Sequence, residues 1–493
     1  MPHVRLGILS LAVTVVLGTP TTSTAQDTRF EVKSPHFTVV SNAGEGSARN
    51  VAWQFEQIRA AIRAGWPWAR VQLDRPVLVI AVKDETSMKA MAPRYWEQGN
   101  TRPTSVFVES QDRYYIALRS DVRGSDQANL NPYFNSYWSY SSIALDAAYD
   151  RELPLWLKMG LAGVLSNSIV QESEIRFGLP IPWYLKSLQQ EARLRLADLV
   201  SMDSESQYFK DGTTRERFDA QSWGLVHYLL FGRPDGLSGK FNQLVKLLLD
   251  GRTSAAALQE VYGDLNPLEQ AYLQHSRKQI FQFARLNVET SVVAKSFALR
   301  RLLLPESASA RAGFHQAMNR PVEARVLIAE ARKTEAPVPT SYEVEGLLLD
   351  REGQQSEAQT AFERAESLNS ENFYAYYRLA TLMWPPNETT AAEVEKRLRK
   401  AVALNDMHPS ALATLADVVA FQRRNAEALQ LARKAVSLAP GAVTPRLSLA
   451  RVVWNLGDRE QARTIAKNAL GVARNDQERR LVQELTGFFD SAQ

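Results

Sequence analysis

An α+β domain followed by an all-α repeat superhelix is the architecture this 493-residue sequence predicts, on three observations. Short β-branched runs come early, each followed by a helical pattern. Helical patterns then dominate from residue 132 to about 283. From about residue 305 one spacing signature recurs almost to the end. Strands first and helices afterwards indicate an α+β domain, and a fixed period indicates stacked hairpins.

The first 25 residues predict a secretory signal. Arg5 precedes the apolar run Leu6 to Gly18, followed by a small and polar stretch with Ser23 and Ala25 before the expected cut. That run is shorter than the ~20 residues needed to span a bilayer, and no later segment is apolar enough, so a periplasmic or secreted location is expected. The chain has no cysteine, which removes a thiol nucleophile, a lipoprotein anchor and cysteine-type metal sites. A formal charge of +4 with no run of Lys and Arg argues against nucleic acid as a partner.

Within residues 26–290, "HFTVVSN", "RPVLVIAVK", "SVFVES" and "YYIALRS" read as strands. "GSARNVAWQFEQIRAAIRAG" and "ETSMKAMAPRYW" read as helices. Further helices are expected over 132–149, 154–167, about 180–200, 216–231, 239–250, 254–260 and 266–283. Residues 291–304 are expected to be a linker.

The repeat signature is a small residue, a bulky one four positions on, and alanine three later. It occurs at Ala324/Ile328/Ala331, Ala358/Phe362/Ala365, Val394/Leu398/Ala401, Ala428/Ala432/Ala435 and Ala462/Ala466/Ala469. Successive copies are 34, 36, 34 and 34 residues apart, and "WPPNETT" accounts for the odd step. Twelve residues before each copy stands Ala312, Gly346, Ala380, Ala416 or Ala450, small enough for two helices to cross closely. Gly353 and Gly457 fall at turns between helices, where a positive φ is needed. These features resemble the tetratricopeptide repeat (TPR), five copies over 305–493. The resemblance implies a concave groove that takes a protein or peptide partner, with Glu343, Asp350, Tyr374, Tyr377, Trp384, Asp417, Arg451 and Trp454 at groove positions. Several of these aromatics serve equally well as packing between neighbouring repeats.

The stretches "SPHFTVVSNAGEGSARNVAWQFEQI", "LPLWLKMGLAGVLS" and "FDAQSWGLVHYLLFG" resemble the peptidase MA-like family, thermolysin-type zinc peptidases (gluzincins), over most of residues 30–285. In that family H-E-x-x-H on one helix and a glutamate from the next hold zinc, and the glutamate between the histidines is the base. Aligning Leu153, Pro154, Trp156, Leu157, Gly160, Leu161 and Ala162 with the second helix puts Met159 at the third ligand. The first motif then falls on residues 140–144, with Tyr140 and Ala144 at the histidines and Ser141 at the base. Residues 127–151 contain neither histidine nor glutamate, so sliding the register restores nothing.

The six histidines, His3, His36, His227, His275, His315 and His408, include no pair at i, i+4 spacing. A thermolysin-type zinc site is therefore excluded, and no cofactor is expected. Asp146 and Asp150, one turn apart, read as a solvated face before a cation site. There is no G-x-S-x-G elbow and no phosphate-binding G-x4-G-K-S/T loop. His227 and Tyr228 stand on a helix that the resemblance places beside the old cleft. The plainer reading makes His227 a hydrogen-bonded neighbour of a Trp223, Val226, Leu229 and Leu230 core stripe. The sequence thus predicts an exported, non-catalytic peptidase-like domain joined to a protein-binding array. A hydrolase with an unrecognised non-zinc site is the alternative.

Overall fold

The computed structural model describes residues 29–66, 71–97, 102–122, 130–147, 153–190, 193–203, 206, 212–235, 239–333, 337–473 and 475–491. The expected signal peptide lies outside them, as does Asp150. The chain opens with β1 (Phe30–Lys33), β2 (Phe37–Ser41), α1 (Glu45–Gly65), β3 (Val77–Val82), α2 (Glu85–Met91), α3 (Arg94–Glu97), β4 (Ser105–Glu109) and β5 (Tyr114–Arg119). A helical layer follows: α4 (Phe134–Ala147) and α5 (Leu155–Ser166), the short strands β6 (Ile169–Val170) and β7 (Glu174–Phe177), then α6 (Pro182–Leu188) and α7 (Leu196–Ser201). Next come α8 (Gly212–His227), whose last turn widens into a π-helix over Tyr228–Gly232, then α9 (Gly239–Leu249), α10 (Ser254–Tyr262) and α11 (Leu265–His275). β8 (Ala284–Asn287) and β9 (Ala298–Arg301) lead into the repeats.

Six strands form the main sheet in the order β4-β5-β3-β2-β1-β9. β3 runs parallel to both β2 and β5, and the outer pairs are antiparallel. All six residues of β3 are buried, as expected of a parallel strand covered on both faces. Because side chains alternate, Val77, Val79 and Ala81 join a core with Phe55, Ile58 and Ile62 of α1. Leu78, Ile80 and Val82 point the other way, to Met88 and Met91 of α2 and to Ala310, Phe314 and Met318. The last three belong to α12 (Leu304–Ala317) and its C-cap, the first helix of the repeat array.

Three expectations change here. The segment 291–304 is no linker: β9 pairs with β1 from Phe30↔Arg301 to Lys33↔Ala298, and Arg49 Nη1 donates to the carbonyls of Ala294, Lys295 and Phe297 at 2.8–3.2 Å. A free edge of β1 would leave backbone groups unpaired, and the returning chain satisfies them. The helix expected at 266–283 ends at His275, and the chain then returns as β8 beside β7. The single helix expected near 180–200 is two short ones, α6 and α7.

The helical hairpins are α12/α13 (Pro321–Ala331), α14 (Pro339–Arg351)/α15 (Gln355–Ser367), α16 (Phe373–Leu382)/α17 (Ala391–Leu404), α18 (Pro409–Phe421)/α19 (Asn425–Leu438) and α20 (Val443–Asn455)/α21 (Arg459–Asn468). A final helix, α22 (Asp476–Ser491), closes the array. Every signature residue is buried, as are the small residues twelve positions earlier. Gly353 and Gly457 take φ of 79° and 93° in their turns, and Asn319 and Arg423 hold the left-handed conformation in two others. The array is tetratricopeptide-like in period, hairpin geometry and burial. No described helix is long and apolar enough to cross a membrane.

Helices α5 and α8 cross where Gly160 faces Val226 and the Ser222 carbonyl. A Cβ at Gly160 would stand 2.6 Å from that backbone oxygen, which cannot rotate away. Gly160→Ala is expected to destabilise the front domain by about 1–3 kcal/mol through overpacking. The check is the denaturant midpoint at unchanged m-value.

Candidate functional site

The two halves meet around the β4–β5 turn, whose tip lies among the first helices of three repeats. Ser110 Oγ donates to Gln316 Oε1 at 3.1 Å. Asp112 accepts from Asn372 Nδ2 at 2.9 Å and pairs with Arg113 at 2.7 Å. The Glu343 carboxylate accepts from Ser370 Oγ at 2.6 Å and from Asn372 Nδ2 at 3.2 Å, with Arg113 Nη2 at 3.6 Å. Asn372 is also the N-cap of α16, accepting from Tyr374 N. Farther along, Asn405 Nδ2 reaches the Asp74 carbonyl at 2.6 Å. A charged cluster excluded from water holds only when every member has a partner. Burial works to raise the Glu343 pKa, while Arg113, Ser370 and Asn372 oppose it.

Glu343, expected at a groove position, is 3% exposed, with its carboxylate bonded to Ser370 and Asn372 and facing Arg113 of the chain's own hairpin. The other groove candidates mostly pack within the array. Tyr374 is buried, and Tyr377 lies between it and His408 at ring distances of 5.8 and 5.1 Å. Asp417 accepts from Ser448 at 2.8 Å and pairs with Arg451 of the next repeat. Asp350 likewise pairs with Arg378 at 2.8 Å. Trp454 stacks on Phe489 of α22, ring centroids 4.3 Å apart. Trp384 alone of these aromatics is exposed. Apart from Trp384, these side chains pack against a neighbouring repeat or against α22, which is the packing alternative the sequence left open.

His227 does not line a cleft. It is fully buried, its Nδ1 3.0 Å from His275 Nε2 and its Nε2 2.9 Å from the Gly178 carbonyl. Tyr228, half-buried, begins the π turn and packs on His275. The plain reading of that helix stands. Asp146 pairs with Lys158 at 2.9 Å, and no group of three metal-ligating side chains exists among the described residues.

The positions matched to the peptidase metal site are all buried. Ala144 and Met159 join the apolar core between α4 and α5, and Ser141 Oγ has no partner. Tyr140 packs its ring on Phe37 and Phe55, centroids 5.4 and 6.2 Å away, and it also lines an opening.

That opening is a cleft of about 880 Å³ between the sheet and the repeats. The front domain contributes Lys33, His36, Phe37, Arg59 and Tyr140, and the repeats contribute Pro339, Glu343, Phe373 and Met407. On its wall His36, itself exposed, bonds the buried Glu56 carboxylate through Nδ1 at 2.8 Å, and Ser34 Oγ and His36 N donate to the same group. Burial would raise the Glu56 pKa, but the bonds from His36 and Ser34 hold it below the usual value. Sequence reading passed over Arg59, Glu56 and this whole cleft. The single available signal was a buried-spacing Glu and Arg on the apolar face of α1.

A scan of protein-family models and a search of curated proteins gave no match. Among solved structures the chain is similar to YrrB, a TPR protein with an unusual peptide-binding site. The identity is 18% and the TM-score 0.31, over 36% of this chain and 91% of that one. It is also similar to MamA from Desulfovibrio magneticus RS-1, at 18% identity and TM-score 0.29, over 34% of this chain and 94% of that one. Pseudomonas aeruginosa PilF gives 12% identity and TM-score 0.29, over 38% and 88%.

Removing the guanidinium in Arg113→Ala leaves Asp112 and Glu343 buried without their cation. The expected loss is about 3–5 kcal/mol, with the front domain and the array unfolding in two steps instead of one in chemical denaturation. A single transition at the wild-type midpoint would show the cluster contributes nothing to the joint.

Burial also pushes four imidazoles down, His227 to about 3 and His275, His315 and His408 to about 4. In the unfolded chain each protonates near 6.5. Their contribution to stability is therefore complete above that pH and is lost as pH falls toward 3–4. Asp219, pushed up to about 6 by burial, and Glu343, raised by burial, act in the opposite sense. With four groups against two, Tm is expected to fall between pH 7 and pH 5, each imidazole costing on the order of 1–2 kcal/mol at the lower pH. A flat Tm over that range would mean these rings are protonated in the fold.

Proposed function

We propose that this chain is an exported, non-catalytic binding protein. A peptidase-like front domain, its metal positions refilled by Tyr140, Ser141, Ala144 and Met159, is joined to a tetratricopeptide-like array. An extended peptide or protein segment is taken up between them. The observation that carries this reading is the cleft of about 880 Å³ with walls from both halves, a volume suited to several residues of peptide. The charged cluster at Arg113 supports it further, because a rigid joint keeps the two walls at a fixed distance. Export rests on the N-terminal sequence pattern alone.

The replaced positions support a binding role over chemistry. Hydroxyl, methyl and thioether groups do not hold Zn²⁺ as imidazole and carboxylate do. One observation favours the rival reading, a hydrolase of another kind: His36, oriented by Glu56, opens into the same cleft, as a general base would. Among the described residues, no Ser or Thr hydroxyl is hydrogen-bonded to a histidine.

The two readings part in one experiment on the purified chain, combining metal analysis, a casein-digestion assay and binding of an unbiased peptide pool. Retention of peptide with no cleavage and less than about a tenth of a zinc per chain is expected. Chelator-sensitive cleavage would restore the metallopeptidase, and cleavage abolished by His36→Gln would establish the other hydrolase.

A further inference from the structure

Two polar side chains that line the cleft keep hydrogen-bonding capacity that no described residue takes up. Arg59, on α1, is 8% exposed. Among the described residues its one hydrogen bond runs from Nε to the Val71 carbonyl at 3.2 Å, so the two Nη groups have no acceptor. Glu56, one turn earlier on the helix, does not serve as its partner, because that carboxylate is taken by His36 and Ser34. Tyr140 is 1% exposed. Phe37 and Phe55 fix its ring, and its hydroxyl has no hydrogen bond among the described residues. Both residues line the cleft, with His36 beside them.

The other cations of the cleft are committed. Arg113 pairs with Asp112 and Glu343, Arg75 with Asp74 and Glu109, Arg300 with Glu31 and Glu306, and Lys33 with Glu371 at 3.8 Å. The Arg59 donors open to the cleft, where a guanidinium makes shorter and stronger hydrogen bonds with a charge-bearing acceptor than with a neutral one. Planar carboxylate is the acceptor that its fork matches.

We infer that Arg59 and Tyr140 form the anion end of the cleft and receive the carboxylate of a bound peptide, Arg59 through its Nη groups and Tyr140 through its hydroxyl. The site rests on the peptide-binding reading and deepens it. Burial raises the Tyr140 pKa, against the pull of Arg59, so the phenol keeps its proton at neutral pH and donates it. Phe37, Leu302 and Phe373 line the same cleft and supply apolar contact for the residues that precede the carboxylate. A carboxylate reaches such a site from a chain terminus or from an acidic side chain, and the chemistry at Arg59 is the same for both.

The test uses the full chain and three probes in calorimetric titration. They are acetyl-leucyl-phenylalanyl-alanine with a free C-terminus, its C-terminal amide, and the same amide with glutamate replacing alanine. The free acid, the glutamyl amide or both are expected to bind at least about tenfold more tightly than the neutral amide, as a hydrogen-bonded charge pair requires. Preference for the first assigns the terminal carboxylate, and preference for the second the side chain. Arg59→Gln is expected to remove that preference. Tyr140→Phe, which keeps the ring packing, is expected to weaken the acid by about threefold to tenfold, and it decides the matter if Arg59→Gln does not fold. Equal binding of acid and amide would overturn the carboxylate site while leaving peptide binding in place. Binding by none of the probes, or an unchanged preference in both variants, would overturn it as well.

Discussion

The two-faced burial of β3 is the constraint on which the rest of the structure depends. A parallel strand flanked by β2 and β5 has no solvated side, so each face must be covered. The helix that follows β2 covers one. The other is covered in part by α12, a helix nearly 230 residues later in sequence that also opens the repeat array. The array is thus part of the front domain's core, and β9 fastens the chain to the sheet edge immediately before it. Neither half ends where its pattern changes in sequence.

From that shared core the polar joint follows. Once α12 lies on the sheet, the β4–β5 turn projects toward α14 and α16, and its charges find partners at a largely buried joint beside the cleft. Asp112, Arg113, Glu343 and Asn372 supply one another. Asn372 shows how little is wasted: its side-chain oxygen caps α16 while its amide nitrogen bonds the hairpin and Glu343. The groove near the first repeats is therefore filled from within, and the remaining opening lies where the sheet edge and the repeat loops diverge.

The four positions that the sequence resemblance matched to a metal site differ in where the fold puts them, and of these Tyr140 lines the opening. Ala144 and Met159 fill volume, whereas Tyr140 keeps a polar atom at the cleft wall. Beside it Arg59 is held by burial with its donors free. The polar groups at the wall of the cleft set what chemistry it can receive.

By itself the sequence determined the elements whose cause is local. Alternating and β-branched runs specified β2 to β5. The small-bulky-alanine signature specified five hairpins down to individual buried residues, because close helix crossing admits few side chains. The absence of histidine and glutamate from residues 127–151 rules out an H-E-x-x-H motif there without coordinates. Only the tertiary structure decided what depends on distant partners. β1 and β9 are strands because they pair with each other, Glu343 is buried because a hairpin 230 residues earlier reaches it, and the groove aromatics face their neighbours. Arg59 and Tyr140, 81 positions apart, meet at one cleft. Periodicity reports which face of an element is covered, whereas the identity of what covers it is set by packing between elements that no local pattern encodes.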